Sequence, residues 1–414
     1  MKSEELTRIL DDYAHRVEAS PAALQETLDR SRQLRQRRGW LRAAAVVAGV
    51  AVVGLTATMA NRLSSSELST PASAPDRVGS FAIEVLPPAP LGARSNHAQT
   101  TLGERLFVWG GEAPSGPDDA GAMSAGEPLD DGAIFNPATG GWHELPASPL
   151  SARSHAVAAW TGEQVLVMGG RADGTPLTDT AAYDPSTDGW TRLSAAPICP
   201  QLAAVIADVV IAAGACGPEQ PQLAAYAPRS DRWTVIESRA VGDPTSIAVA
   251  GSSVLVGDVN GRVVVVDAQS LDVREVSGPS HELEFTLVGD GTQAYALSTP
   301  LDSGAAEPIL SRFDGATWHA VVDQTREVGS TTGPRPTFVG STLVYATDRG
   351  ACVWSAQETS DCTSDDLNAS LVRSNTQFVA TESGTRAYLW GGLTFESGGG
   401  YALASRTGAV LQID

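Results

Sequence analysis

Residues 153–193 read RSHAVAAWTGEQVLVMGGRADGTPLTDTAAYDPSTDGWTRL, and the order of apolar runs and turn residues in this stretch decides the fold. The run Val165-Leu166-Val167-Met168 meets a glycine pair, Gly169-Gly170, and a polar loop containing glycine and proline follows. Tyr183-Asp184-Pro185 then leads into the tight-turn residues Thr187-Asp188-Gly189, and Trp190 opens another short strand. Short apolar runs with turn chemistry at each corner predict a four-stranded antiparallel meander.

Its pieces recur along the chain in seven units. The first, from Arg94 to Leu145, carries Leu106–Trp109, Gly110-Gly111, Phe135-Asn136-Pro137 and Gly141-Trp142. The quoted stretch is the second. The third has Ala203–Ile206, Val209–Ala212, Gly214, Tyr226-Ala227-Pro228 and Trp233. A fourth, Ile247 to Val276, keeps the strands but has Val273 in place of the tryptophan. The fifth has Phe313-Asp314-Gly315 and Trp318, and the sixth starts near Pro336. In the seventh, Phe378–Ala380, Tyr388–Trp390, Gly391-Gly392, Tyr401–Ala404 and Val410–Ile413 follow in order. Residues 79–414 give 48 residues per unit for seven units and 56 for six, so seven fits a repeat period of roughly 40–50 better and six is the alternative. One such sheet buries too little by itself, so the units must close into a ring. The expected fold is therefore all-β, a β-propeller of four-stranded blades.

Apolar run, glycine doublet, Tyr-Asp-Pro and tryptophan together resemble kelch repeats. Gly110, Gly111, Gly169, Gly170, Gly391 and Gly392 match the family's doublet, and Trp142, Trp190, Trp233 and Trp318 match its tryptophan. Units one, two and seven carry the resemblance best. Each of these residues has a structural task to begin with: paired glycines permit positive φ and close approach of neighbouring blades, and an outer-strand tryptophan fills the gap between them. Together with its N-terminal tail and single span, the arrangement is also similar to membrane-anchored propeller proteins of actinobacteria.

The N-terminal residues differ from the rest. Residues 1–42 hold nine basic and seven acidic side chains, with Leu6, Ile9, Leu10 and Tyr13 at helical spacing and Ser20-Pro21 as a second helix start. Residues 1–39 are expected to be a cytoplasmic helical tail, either simply solvated or a docking module. Residues 43–60, AAAVVAGVAVVGLTATMA, carry no charge, and 40–60 approach the ~20 residues that cross a bilayer as a helix. Arginines precede the segment and acidic sequence follows it, so the positive-inside bias predicts a single-pass signal anchor with the N-terminus in the cytoplasm and the large domain outside. The alternative is secretion after cleavage, since Arg37-Arg38-Gly39-Trp40-Leu41 resembles a twin-arginine export motif and Thr58-Met59-Ala60 a cleavage site. Residues 61–78 read as a Ser/Pro-rich linker and 79–414 as the propeller.

A net charge of −20, with Lys2 the only lysine, argues against nucleic acid as a partner, because phosphate recognition needs clustered cations. The four cysteines form two local pairs. Cys199 and Cys216 face each other if a two-residue turn at Ala207-Asp208 joins strands 203–206 and 209–212, and Cys352 and Cys362 close a hairpin around Gln357. Cross-strand neighbours have the spacing that a disulfide needs, and an exported domain favours its formation. No metal-ligand spacing occurs among the histidines, and no cofactor motif is present.

Arg94, Arg153, Arg335 and Arg373 each open a unit, so ring closure would bring them toward one mouth of the channel, with His97 and His155 beside two of them. Such a ring could hold a carboxylate bidentately or, equally, satisfy loop carbonyls and acidic neighbours. Residues 112–132 form a long acidic loop, where binding function usually sits. The reading that accounts for most of the chain is a membrane-anchored, extracytoplasmic module that binds a protein or glycan of the envelope. Kelch-like propellers also include sugar oxidases and sialic-acid isomerases, and related propellers include sialidases, so a sugar-acting enzyme is the first alternative. A transmembrane regulator working through residues 1–38 is the second.

Overall fold

The computed structural model describes residues 76–413, apart from 79–80, 115–125, 218–221, 239–241, 280–282, 301–308, 323–333, 348–349, 356–357, 363–375 and 396–401. Each sequence unit becomes one antiparallel sheet. In the first blade the order is Ala98–Leu102, Arg105–Trp109, Gly132–Asn136 and Gly141–Glu144; in the second it is Val157–Trp160, Val165–Met168, Thr180–Asp184 and Gly189–Leu193. Blades three to six follow the same meander over 202–236, 244–277, 283–322 and 337–362.

The apolar runs lie in the second and third strands, which are covered on both faces. All of Leu106–Trp109, Val165–Met168 and Val263–Val266 are buried, as stacked sheets require. Outer strands are polar where they face solvent: Thr191 and Arg192 in Gly189–Leu193 are exposed. Burial is organised in seven clusters, each between two neighbouring sheets. One of them joins Leu166, Met168 and Ala182 of blade two to Val210, Ala212 and Tyr226 of blade three. The others lie between blades one and two, three and four, four and five, five and six, six and seven, and seven and one. Seven interfaces for seven sheets means a closed ring, and the innermost strands touch in cyclic order back to Ala98–Leu102.

Closure corrects one expectation. The repeat places Tyr401–Ala404 in the seventh sheet, but Ala402–Ala404 pairs with Leu393–Phe395 in a separate hairpin. The seventh sheet runs Val379–Ala380, Arg386–Trp390, Gly408–Ile413 and then Phe81–Val85, so its outer strand comes from the start of the propeller. Phe81 faces Ile413, Ile83 faces Leu411 and Val85 faces Ala409, so the two ends of the domain are hydrogen-bonded to each other. Asp76–Val78 adds a fifth strand, which moves the end of the expected linker into the sheet.

The tail 1–39 and the span 40–60 lie outside the described residues. Among the described residues no helix is long and apolar enough to cross a membrane.

Candidate functional site

A four-stranded blade puts two kinds of connection on opposite faces of the ring. Hairpin turns of two to five residues, such as 103–104, 137–140, 207–208 and 268–272, lie on one face, here called the turn face. The connections after the second strand and between blades lie on the other, the loop face, and include 110–131, 145–156, 169–179 and 391–407. The unit-opening residues and glycine doublets are all on the loop face.

Two of the arginines that open units are buried in the blades. Arg94 is 1% exposed and donates from Nη1 to the Gly110 carbonyl at 3.0 Å and to Asp131 Oδ1 at 2.7 Å, and from Nη2 to Asp131 Oδ2 at 2.9 Å. Arg153 is 0% exposed and repeats the pattern on the Gly169 carbonyl at 3.0 Å and on both oxygens of Asp179 at 2.5 and 3.0 Å. A planar guanidinium suits this bidentate task and lysine does not. The hydrogen bonds from Arg94 and Arg153 hold the carboxyls of Asp131 and Asp179 below the usual carboxylate range. Placing Arg94 and Arg153 among ligand-binding residues is therefore corrected: every charge-bearing edge of both is engaged within the fold.

The glycine doublet is where successive blades meet. A side chain on Gly169 would lie 2.5 Å from the Pro200 carbonyl oxygen of blade three, and one on Gly170 would lie 2.7 Å from the Ser154 carbonyl oxygen. Both have positive φ, 65° and 93°. Gly111 donates to the Arg153 carbonyl and Gly392 to the Arg94 carbonyl, both at 2.9 Å, so these two doublets are bonded to the opening of the next blade. Between neighbouring outer strands, the indoles of Trp142, Trp190, Trp233 and Trp318 donate to the carbonyls of Pro87, Pro146, Ser194 and Ser277 at 2.9–3.0 Å. Each acceptor follows, or ends, the outer strand of the preceding blade. Pro87, just after Phe81–Val85, fits this series.

The third blade replaces the arginine clamp with a covalent bond. Cys199 and Cys216 form a disulfide. The register behind it is the expected one, with Ile206 opposite Val209 and Leu202 opposite Ala213. Cys352 is fully buried and disulfide-bonded, and lies directly across from Cys362 in the sixth sheet.

What remains at the loop-face mouth is a small polar group around His155. This histidine opens the inner strand of blade two in the left-handed region, φ 58°, and its amide donates to the Asn96 carbonyl of blade one at 2.7 Å; Asn96 itself has φ 52°. Non-glycine residues in this region cluster at functional sites. Glu112 accepts from Asn96 Nδ2 at 2.5 Å. Arg171 sits beside His155 through a bridge between Ser154 and Arg171. From the other side come Arg335 of blade six, paired with Gln377 of blade seven, and Gln377 Nε2 donates to the Gln99 carbonyl of blade one at 3.1 Å. Burial lowers the pKa of His155, the Glu112 carboxylate opposes this, and Arg171 and Arg335 add to it.

Arg335 presents surface to solvent, yet the protein around it is dense enough for desolvation to lower its pKa. Neither Arg335 nor Arg171 has a side-chain partner among the described residues. Arg171 was not singled out in the sequence, although its place directly after a glycine doublet could have drawn attention to it. His97 packs edge-on against Trp390 at 5.4 Å between ring centres and meets Gln99 at 2.9 Å, which ties it to the blade seven–blade one interface. Arg373 lies outside the described residues. Among the described residues there is no group of three or more His, Cys, Asp or Glu placed to hold a metal ion.

The kelch motif family matches residues 152–196, which is the second blade from just before Arg153 to just beyond Leu193. No curated protein matches the chain.

Proposed function

We propose that this seven-bladed propeller with a kelch motif is a protein-binding module that receives its partner on the loop face, outside the cytoplasm, while residues 40–60 anchor it in the membrane. The observation that carries the reading is the asymmetry between the two faces. The turn face consists of short turns closed by their own side chains, as where Asp184 accepts from Ser186 and Asp267 from the amides of Gln269 and Ser270. The loop face holds the long connections and Arg171 and Arg335, which have no side-chain partner among the described residues, and long loops on a rigid scaffold are where binding residues collect. The Cys199–Cys216 disulfide supports an oxidising compartment, as does the arginine-rich sequence before an uncharged stretch.

Site-specific photo-crosslinking in the native cell tests this. A photoreactive residue at Thr175, exposed on the loop face, is expected to trap a discrete partner, and one at Gln269, exposed on the turn face, is not. Crosslinks from Gln269 alone would overturn the assignment.

A further inference from the structure

We propose that the cleft between Pro87–Pro90 and the outer strand of blade one is a guanidinium site, which receives an arginine side chain from a peptide segment of the partner. This rests on the binding-module reading above and names the chemistry at one edge of that same face.

Three observations carry it. The first is that the molecule fills the equivalent place itself one blade further on. The connection into blade one, Leu86-Pro87-Pro88-Ala89-Pro90-Leu91, is repeated into blade two as Leu145-Pro146-Ala147-Ser148-Pro149-Leu150. The contacts repeat with it. Trp142 donates to the Pro87 carbonyl as Trp190 does to that of Pro146, and Arg94 and Arg153 each donate from Nε to the carbonyl two residues before them. In blade two the outer-strand residue Arg192 donates from Nη2 to the Pro149 carbonyl, and its Nη1 lies 3.6 Å from Asp179 Oδ2. One guanidinium thus spans a connection carbonyl and the clamp carboxylate.

The second is that blade one lacks this arginine. Glu144 pairs with Ala133 as Arg192 pairs with Ala181, two residues beyond the tryptophan in each outer strand, so Glu144 is its counterpart. A carboxylate cannot donate to the Pro90 carbonyl. What is left is an open cleft of about 610 Å³, lined by Pro87, Pro88, Pro90, Trp142, His143 and Glu144. Asp131, the counterpart of Asp179, is 52% exposed against 30%, as expected of a clamp carboxylate without the second guanidinium. Its oxygens keep lone pairs after Arg94 has bound. Beyond blade two neither the clamp nor the arginine recurs: Val235 and Glu275 hold the Arg192 place in blades three and four.

The third is charge and shape. Glu144 and Asp131 are exposed acids at the ends of adjacent strands in a chain of net charge −20, a field that attracts cations. Proline rings and the Trp142 indole suit the apolar stem and flat head of arginine. Lysine fits less well, because only the planar fork donates to a carbonyl and a carboxylate at once, as Arg192 does.

The test uses the full chain in mild detergent and a fluorescein-labelled, capped hexapeptide of glycine and serine carrying two arginines. Binding is read by anisotropy in about 0.15 M salt, where long-range attraction to the acidic chain is screened. Saturable binding of one peptide per chain is expected, and weaker binding when lysines replace the arginines. Glu144→Arg, which supplies the guanidinium from within as blade two does, should weaken binding at least about tenfold, with the melting temperature kept. Glu275→Arg makes the same charge change at the same strand position of blade four, where there is no clamp, and should leave binding unchanged. Arg192→Glu copies blade one into blade two and should admit a second peptide. No saturable binding, equal binding of the lysine peptide, full binding to Glu144→Arg, equal loss in Glu275→Arg or a single site in Arg192→Glu would each overturn the proposal. If the peptide fails while Thr175 still crosslinks to a partner, the guanidinium site is wrong and the loop-face reading stands. If the Thr175 crosslink is absent as well, the binding-module reading falls with it.

Discussion

Ile198 stands in the third blade where Arg153 stands in the second. Each lies four residues before the first residue of an inner strand, and those residues, Leu202 and Val157, pair with the last residues of equivalent second strands, Ala213 and Met168. The isoleucine is 0% exposed, so the clamp position stays buried while its hydrogen bonds disappear. One residue further on, Ser154 gives way to Cys199 and its bridged partner Arg171 to Cys216, a pair 17 residues apart. The disulfide thus takes over the task of tying the blade's opening to the loop after its second strand.

That substitution predicts the effect of removing the bond. Closing a loop of this length contributes about 3 kcal/mol through the unfolded state. A Cys199→Ser/Cys216→Ser double variant should lose about that much in urea unfolding, with blade three yielding first in hydrogen exchange. A loss under about 0.5 kcal/mol would mean that the surrounding packing already fixes the opening.

Arg153→Met is predicted to be severely destabilising, by about 3–5 kcal/mol, because a fully buried cation leaves Asp179 and the Gly169 carbonyl without their donor. Arg335→Met should cost less than about 0.5 kcal/mol, since Arg335 is exposed and has no side-chain partner among the described residues. Equal effects at the two positions would contradict the division between clamp and mouth.

The clamps also set a pH dependence. Asp131 and Asp179 have folded pKa values below their unfolded ones, so their contribution is present above about pH 4 and is lost as the pH falls through the folded values. His155 is a base whose folded pKa is also lowered, so the unfolded chain takes up its proton first and stability declines as the pH drops below about 6.5. Urea midpoints measured from pH 7.5 to 3 should show both declines. His155→Gln should remove only the upper one and Asp179→Asn should reduce the lower.

Ring closure through Phe81–Val85 predicts that deleting residues 76–85 strips the seventh blade of its outer strand and of the tether that holds the Pro87 carbonyl against Trp142. The deletion should lower the melting temperature by more than 10 °C, and adding the 76–85 peptide in trans should restore part of the loss. An unchanged melting temperature would mean that the ring holds without its N-terminal strand.

The repeat, the glycine doublets, the outer tryptophans and the Cys199–Cys216 register were legible in the sequence because each is local, fixed by a strand, a turn and a spacing. The outer strand of blade seven was not, since Phe81–Val85 has no tryptophan and its partners lie more than 300 residues away in Gly408–Ile413. The arginines were read in part. That Arg94 opens a unit is visible, but that it turns inward depends on Asp131, which sits beyond a long loop, and nothing in the spacing of Arg94 and Asp131 matches that of Arg153 and Asp179. Arg335 is a different case: it lies two residues before Thr337 and pairs with Gln377, so it is not at the clamp position, which lies four residues before the inner strand.

The most direct measurement is photo-crosslinking in the native cell from Thr175 on the loop face and Gln269 on the turn face, both exposed. Discrete crosslinks to a partner from Thr175 alone are predicted. Crosslinks from Gln269 alone, or from neither position, would contradict a partner-binding loop face.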